Sequence, residues 1–203
     1  MKRHYLIYTI LGLSLLTFLV LFSISEKQKR SYEEYLSSEL SSQIADISQA
    51  TLYNLGTLKD VIEEGRLTEA SAGELEYCFH DIAYVTQDVS GMGLQLGILK
   101  ESLDEVVSIN ADYAEFFMKL KFDGDEIVLT EEQISTLKMM EKLMQEYVKV
   151  VKETLLYTGE IGENYVLSGF SDYYTAEKGI TDDYWIKLLK GFQRVTNSSY
   201  SLY

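Results

Sequence analysis

Proline is missing altogether from this chain of 203 residues. It is expelled from helix interiors and tolerated in loops, so a chain of this length without it is expected to be mostly helix with short connections. Cysteine occurs once, as Cys78, which excludes an internal disulfide. That usage suits a bacterial or archaeal surface protein better than a small disulfide-stapled secreted domain. Histidine occurs twice, at His4 and His80, too few for a His-built metal site. Positive charge is also scarce beyond the N-terminus. The first thirty residues hold five Lys/Arg and one acid, leaving 13 basic and 31 acidic side chains behind them, a net of −18. A body that acidic repels phosphates, so nucleic-acid binding is disfavoured.

What the chain does have is an uncharged apolar run of twenty residues from Tyr5 to Ile24, ahead of Glu26-Lys27-Gln28-Lys29-Arg30. As a helix it is about 30 Å long, the thickness of a bilayer's hydrocarbon core. Residues 5–24 are therefore expected to form a transmembrane anchor, residues 1–4 a short cytoplasmic leader, and residues 26–203 one extracytoplasmic helical domain. A cleaved signal peptide competes with this reading, because Ser23-Ile24-Ser25 offers small residues before Glu26. The run exceeds the usual ~7–15-residue apolar region of such peptides and has no Ala-x-Ala, which favours the anchor. No Cys follows the run, so a bacterial lipoprotein is excluded. Lys2 and Arg3 on one side nearly balance Lys27, Lys29 and Arg30 on the other. Orientation therefore rests on the leader, whose shortness resembles a signal anchor that exports the rest.

Periodicity carries the fold class. Leu75, Cys78, Ile82, Val85, Val89, Met92, Leu96, Leu99, Leu103, Val106, Asn110, Tyr113, Phe117 and Leu120 alternate spacings of three and four without a slip. Such a seam predicts a long helix that packs against helical partners in coiled-coil fashion. Leu40, Ile44, Ile47, Thr51, Asn54, Leu58 and Val61 follow the same spacing, with Gly65 placed to end that helix. Ser71 with Glu74, and Thr130 with Gln133, read as capping boxes, the second with a Leu129/Ile134 hydrophobic staple. A last helix is expected after Thr181, burying Trp185, Leu188, Leu189, Phe192 and Val195, with 159–180 as a loop. The fold class is thus all-α: an N-terminal transmembrane helix followed by an elongated antiparallel bundle of three to four long helices. One conflict remains. Residues 72–122 as a single helix, about 76 Å long, would overrun by about 18 Å the 58 Å that residues 26–64 supply. Gly91, Gly93 and Gly97 offer one break and Asn110–Asp112 another; the unbroken heptad phase favours continuity through the glycines. A break at Asn110 would free Phe116, Phe117, Met118, Lys119, Lys121 and Phe122 for the lipid head-group boundary.

Candidate chemistry is thin. Cys78 and His80 lie two apart and so point to different helix faces, which reads as a core Cys beside a flanking His. Asp123-Gly124-Asp125-Glu126 lacks the ligand pattern of a calcium loop and reads as a solvated turn. The Gly91–Gly97 segment has the wrong spacing for a nucleotide fingerprint. Paired acids at Glu33-Glu34, Glu63-Glu64, Glu131-Glu132 and Asp182-Asp183 suit helix faces and N-termini. No enzyme, cofactor or metal is expected. Aromatics crowd the C-terminal part, and apolar residues at the flanks of the long seam suggest a broadened contact. The candidate interaction residues are therefore Ile109, Phe116, Phe117, Tyr173, Tyr174 and Trp185. The arrangement resembles the extracytoplasmic helical domains of bacterial chemoreceptors and sensor kinases, or the anchored helical part of some spore-germination proteins. A receptor of that kind also needs a second span and an output domain, and these residues contain neither. The expected role is a membrane-anchored scaffold or accessory subunit of the cell envelope, self-associating or bound to a helical membrane partner. A ligand-binding sensor module that signals through a separate membrane partner is the alternative, and a buried polar site near Asn54 or Asn110 would favour it.

Overall fold

The computed structural model describes residues 2–155 and 179–200, which are mostly helical. The expected loop at 159–180, with Tyr173 and Tyr174, lies outside them except for its last two residues. The first helix, α1 (Lys2–Glu64), runs 63 residues without interruption, about 95 Å. Every described side chain from Ile10 to Ser25 is exposed, Phe18 at 65%, and burial begins at Ser37. From there Leu40, Ile44, Ile47, Thr51, Asn54, Leu58 and Val61 are buried, the three-and-four spacing read from the sequence. Gly65 ends the helix as expected, at φ 66°, its N–H on Val61 O at 3.0 Å.

Two short strands follow that the sequence did not suggest. Strand β1 (Arg66–Thr68) pairs antiparallel with β2 (Glu126–Val128), Leu67 opposite Ile127. Strands of three residues are too short for alternation to show. The ribbon ties the end of α1 to the connection between the later helices, with Leu67 fully buried beneath it. Between the strands' flanks, Asp125 O accepts the Glu69 N–H at 3.0 Å, and Asp123–Asp125 form the solvated turn expected there.

Helix α2 (Glu69–Gln95) starts one turn before the expected Ser71 cap: Thr68 Oγ1 accepts the Ser71 N–H at 3.1 Å. Glu74 is not a capping partner but accepts a hydrogen bond from the Tyr53 hydroxyl on α1. The long seam is broken. Gly97 N–H binds Leu94 O at 3.0 Å and Ile98 N–H binds Gly93 O at 2.9 Å, with Gly97 at φ 69°. That is a Schellman stop, in which a left-handed glycine turns two donors back onto orphan carbonyls. The expected continuity through the glycines is therefore wrong. Leu99 folds back onto Gly93, where a Cβ would lie 2.8 Å from its side chain, and α3 (Asp104–Met118) returns along α2. Phe79 on α2 stacks on Phe117 at 6.0 Å and meets Tyr113 edge-on at 5.4 Å. The length conflict disappears, because α2 alone spans about 40 Å.

The break also relocates the Phe116–Phe122 segment. It leads into the ribbon, about 60 Å of helix from Ile24, and not back toward the apolar run. Helix α4 (Glu131–Thr154) carries the expected capping box: Thr130 Oγ1 accepts from Gln133 N at 3.2 Å and Gln133 Oε1 from Thr130 N at 2.8 Å. Its Leu137, Met140, Met144, Tyr147 and Val151 are buried. In α5 (Tyr184–Tyr200), Trp185, Leu188, Leu189 and Phe192 are buried as read, Val195 partly so. Tyr147 stacks on Phe192 at 4.1 Å, and its hydroxyl meets Thr196. Helix α1 packs on α2 and α4, α5 on α3 and α4, around one core.

Candidate functional site

The heptad stripe of α1 turns inward, so its flanking residues face α2 across a shallow groove. Asp46, Gln49, Ala50 and Tyr53 line one wall, Tyr77, Cys78 and Asp81 the other, around about 300 Å³. Tyr53 and Glu74 bridge the groove at one end, and Gln43 Nε2 donates to Asp88 Oδ2 at 2.9 Å toward the other. The electrostatics are of one sign. Partial desolvation and then the neighbouring Asp46 raise the Asp81 carboxyl above its ordinary 3.8, with His80 opposing. Asp46 is raised in the same way, by desolvation and by Glu39. Burial, with Asp81 and Glu74 nearby, pushes the Cys78 thiol up to about 12. Burial and the bond to Glu74 raise the Tyr53 phenol to about 12.

At neutral pH that thiol stays protonated and is no nucleophile, since only the thiolate attacks. His80 gives it no base: it is exposed and stacks on Tyr84 at 6.4 Å. No group of three or more His, Cys, Asp or Glu placed to hold a metal ion occurs among the described residues.

The residues singled out from sequence for contact lie mostly inside. Ile109 is 6% exposed, Phe117 3% and Trp185 0%, while Phe116 is half-buried against the Phe117 ring. The Trp185 indole donates to Ile180 O at 3.2 Å. The extra apolar flank on α3 is thus filled by this chain's own helices. Sequence reading missed the groove, because Asp46 and Asp81 are ordinary surface acids until two helices bring them together. It also understated a polar seam in the core: Ser41, Ser48, Thr51, Asn54, Thr86, Asn110 and Thr196 are all fully buried. Most serines and threonines there satisfy themselves on the preceding turn, as Ser48 does on Ile44 O and Thr51 on Ile47 O. Asn54 does not: neither amide atom has a partner. Asn110 donates to Val106 O at 2.8 Å, but its Oδ1 and the Thr86 Oγ1 are unpaired. No family model, curated protein or solved structure matches this chain.

Proposed function

We propose that this protein is a single-pass membrane-anchored helical bundle, its bulk outside the cytoplasm, that serves as a scaffold or accessory subunit through protein–protein contacts. One observation carries the reading: α1 passes unbroken from an exposed, spanning-length apolar segment into the core of the helical body. Anchor and body share one continuous helix, as suits a subunit that holds a partner near a bilayer. A thiol held protonated at Cys78 accords with a binding role.

Two measurements test it. The full chain is expected to resist alkaline carbonate extraction and to retain its N-terminus; soluble protein beginning at Glu26 would replace the anchor with a signal peptide. Solubilised in mild detergent, it is expected to bring down a stoichiometric partner. Substituting the exposed ring Tyr77→Glu, at the groove, should release that partner without lowering helicity.

The second reading, a ligand-responsive sensor module, draws on Asn54, Thr86 and Asn110. Unpaired buried polar atoms each cost about 1–3 kcal/mol. A core that carries several such atoms, on three different helices, gains if a rearrangement on ligand or partner binding satisfies them.

A further inference from the structure

We infer that the residues just beyond the apolar run form a binding site for anionic phospholipid, with Lys27 and Arg30, one turn apart on one face, on the head-group phosphate, Lys29 adding charge from the other side of the helix, and the strip below Lys27 against an acyl chain. This rests on the anchor reading above. Because α1 is continuous, height follows from residue number. Lys27 stands about 4.5 Å and Arg30 about 9 Å past Ile24, within or beside the ~5–8 Å that each head-group layer adds to the hydrocarbon. Glu26 to Arg30 carries a net charge of +2, with Lys27, Lys29 and Arg30 all exposed. The Lys29–Glu33 pair, at 3.8 Å and well exposed, holds its cation only loosely. Lysine can let it go and reach a phosphate one turn lower.

The second observation is apolar. Leu16, Leu19, Val20, Ser23 and Ile24 form an exposed strip that ends at Lys27. Ser23 does not interrupt it, since its hydroxyl donates to Leu19 O at 2.8 Å and offers lipid no unpaired donor. A phospholipid laid along this strip places its acyl chain on the leucines and its phosphate at Lys27. Free phosphate would use only half of the site.

The acidic body does not oppose this. The first buried residue, Ser37, lies about 20 Å along α1 from Ile24 and about 11 Å from Arg30. That exceeds the roughly 8 Å Debye length at physiological ionic strength, so the carboxylates beyond Ser37 are screened from the lipid surface, while Glu33 and Glu34, about one turn above Arg30, offset part of the local positive charge.

The test uses full-length protein. Flotation with phosphatidylcholine vesicles first checks the anchor alone: protein left in solution overturns the anchor reading, and this inference with it. For protein that floats, lipid retention in detergent micelles is measured by native mass spectrometry with phosphatidylglycerol against phosphatidylcholine. Retention is expected to favour phosphatidylglycerol at least tenfold, since each basic side chain near the surface adds roughly fivefold. Lys27→Gln/Lys29→Gln/Arg30→Gln should abolish the preference. Lys119→Gln/Lys121→Gln, at the far end of the body, should keep it, and excess glycerol 3-phosphate should not displace the lipid. Equal retention of both lipids by the unmutated chain, an unchanged preference in the triple variant, or displacement by glycerol 3-phosphate would each overturn the inference.

Discussion

Single side chains separate the seam as a pattern from the seam as a core. Leu96 sits in perfect heptad phase yet is 49% exposed, because it caps α2 at the turn, while Phe79, off the a/d positions, is fully buried in a three-ring cluster. Urea unfolding of Leu96→Ala is expected to show a loss of about 0.5 kcal/mol or less, and of Phe79→Ala about 3–5 kcal/mol. Equal losses would mean that α2 does not stop where the structure stops it. Asn54→Leu is the opposite kind of change. It removes two unpaired polar atoms and keeps nearly the same shape, so the fold should gain about 1–3 kcal/mol by the same measurement. A loss there would reveal a partner for the amide. The groove acids add a pH signature. Because Asp46 and Asp81 have folded pKa values above their unfolded 3.8, the folded state holds their protons more tightly. Their cost to stability is therefore absent below 3.8, grows as pH rises through the interval up to the raised values, and is complete at neutral pH. Asp81→Asn should melt higher than the unmutated protein at neutral pH, and the two melting temperatures should converge as pH falls below 3.8. A constant offset across that range would remove the groove charges as its cause.

At the scale of elements, what was legible from sequence depended on whether the signal was local. The Thr130–Gln133 box, the Gly65 stop and the stripes of α1, α4 and α5 are each written within a few residues, and each stands in the structure. The α2 start was misread by three residues, since Thr68 and Ser71 are equally good cap residues and only the ribbon decides between them. The α2–α3 break was illegible for a different reason. Each helix carries its own stripe facing the other, and the connection from Leu96 to Leu103 preserves the count, so periodicity runs straight across a reversal of the chain. Only glycine chemistry marks it. A Cβ at Gly97 would meet nothing in space, so Gly97→Ala tests backbone conformation alone, at φ 69°. It is expected to lower stability by about 1–2 kcal/mol with an unchanged denaturant slope. If α2 and α3 were one helix, the same substitution would be stabilising, since alanine outranks glycine in a helix interior by about 1 kcal/mol. The sign of the change thus decides between hairpin and rod. The groove belongs to neither kind of signal, because Asp46 and Asp81 are 35 positions apart and meet only through the register of α1 against α2.

Across the whole molecule, α1 divides into three lengths with different surroundings: the apolar segment to Ile24, an exposed stretch in which Tyr32 and Tyr35 are 70% and 66% accessible, and the core stretch from Ser37. Among the described residues the middle stretch is largely exposed, with Leu36 at its end partly buried against the core, so it draws little stability from packing. Isolated helices shorter than about 12–15 residues are marginal in water, so it persists by being flanked on both sides. Its local opening should therefore require far less free energy than unfolding of the body. Trypsin, which needs an unfolded segment, is expected to cut detergent-solubilised protein at Lys27, Lys29 and Arg30 well before any site in the helices of the body. The released fragment, beginning at Ser31, keeps every buried residue described here, including Ser37, whose hydroxyl accepts the Ile180 N–H at 3.0 Å and so pins the approach to α5. Its melting temperature should lie within about 2 °C of the parent's, and its helicity should fall only by the share of the removed residues. Initial cleavage at Lys119 or Lys121 would place the weakest point at the ribbon end. A fragment that melted far lower would show that the apolar segment stabilises the body.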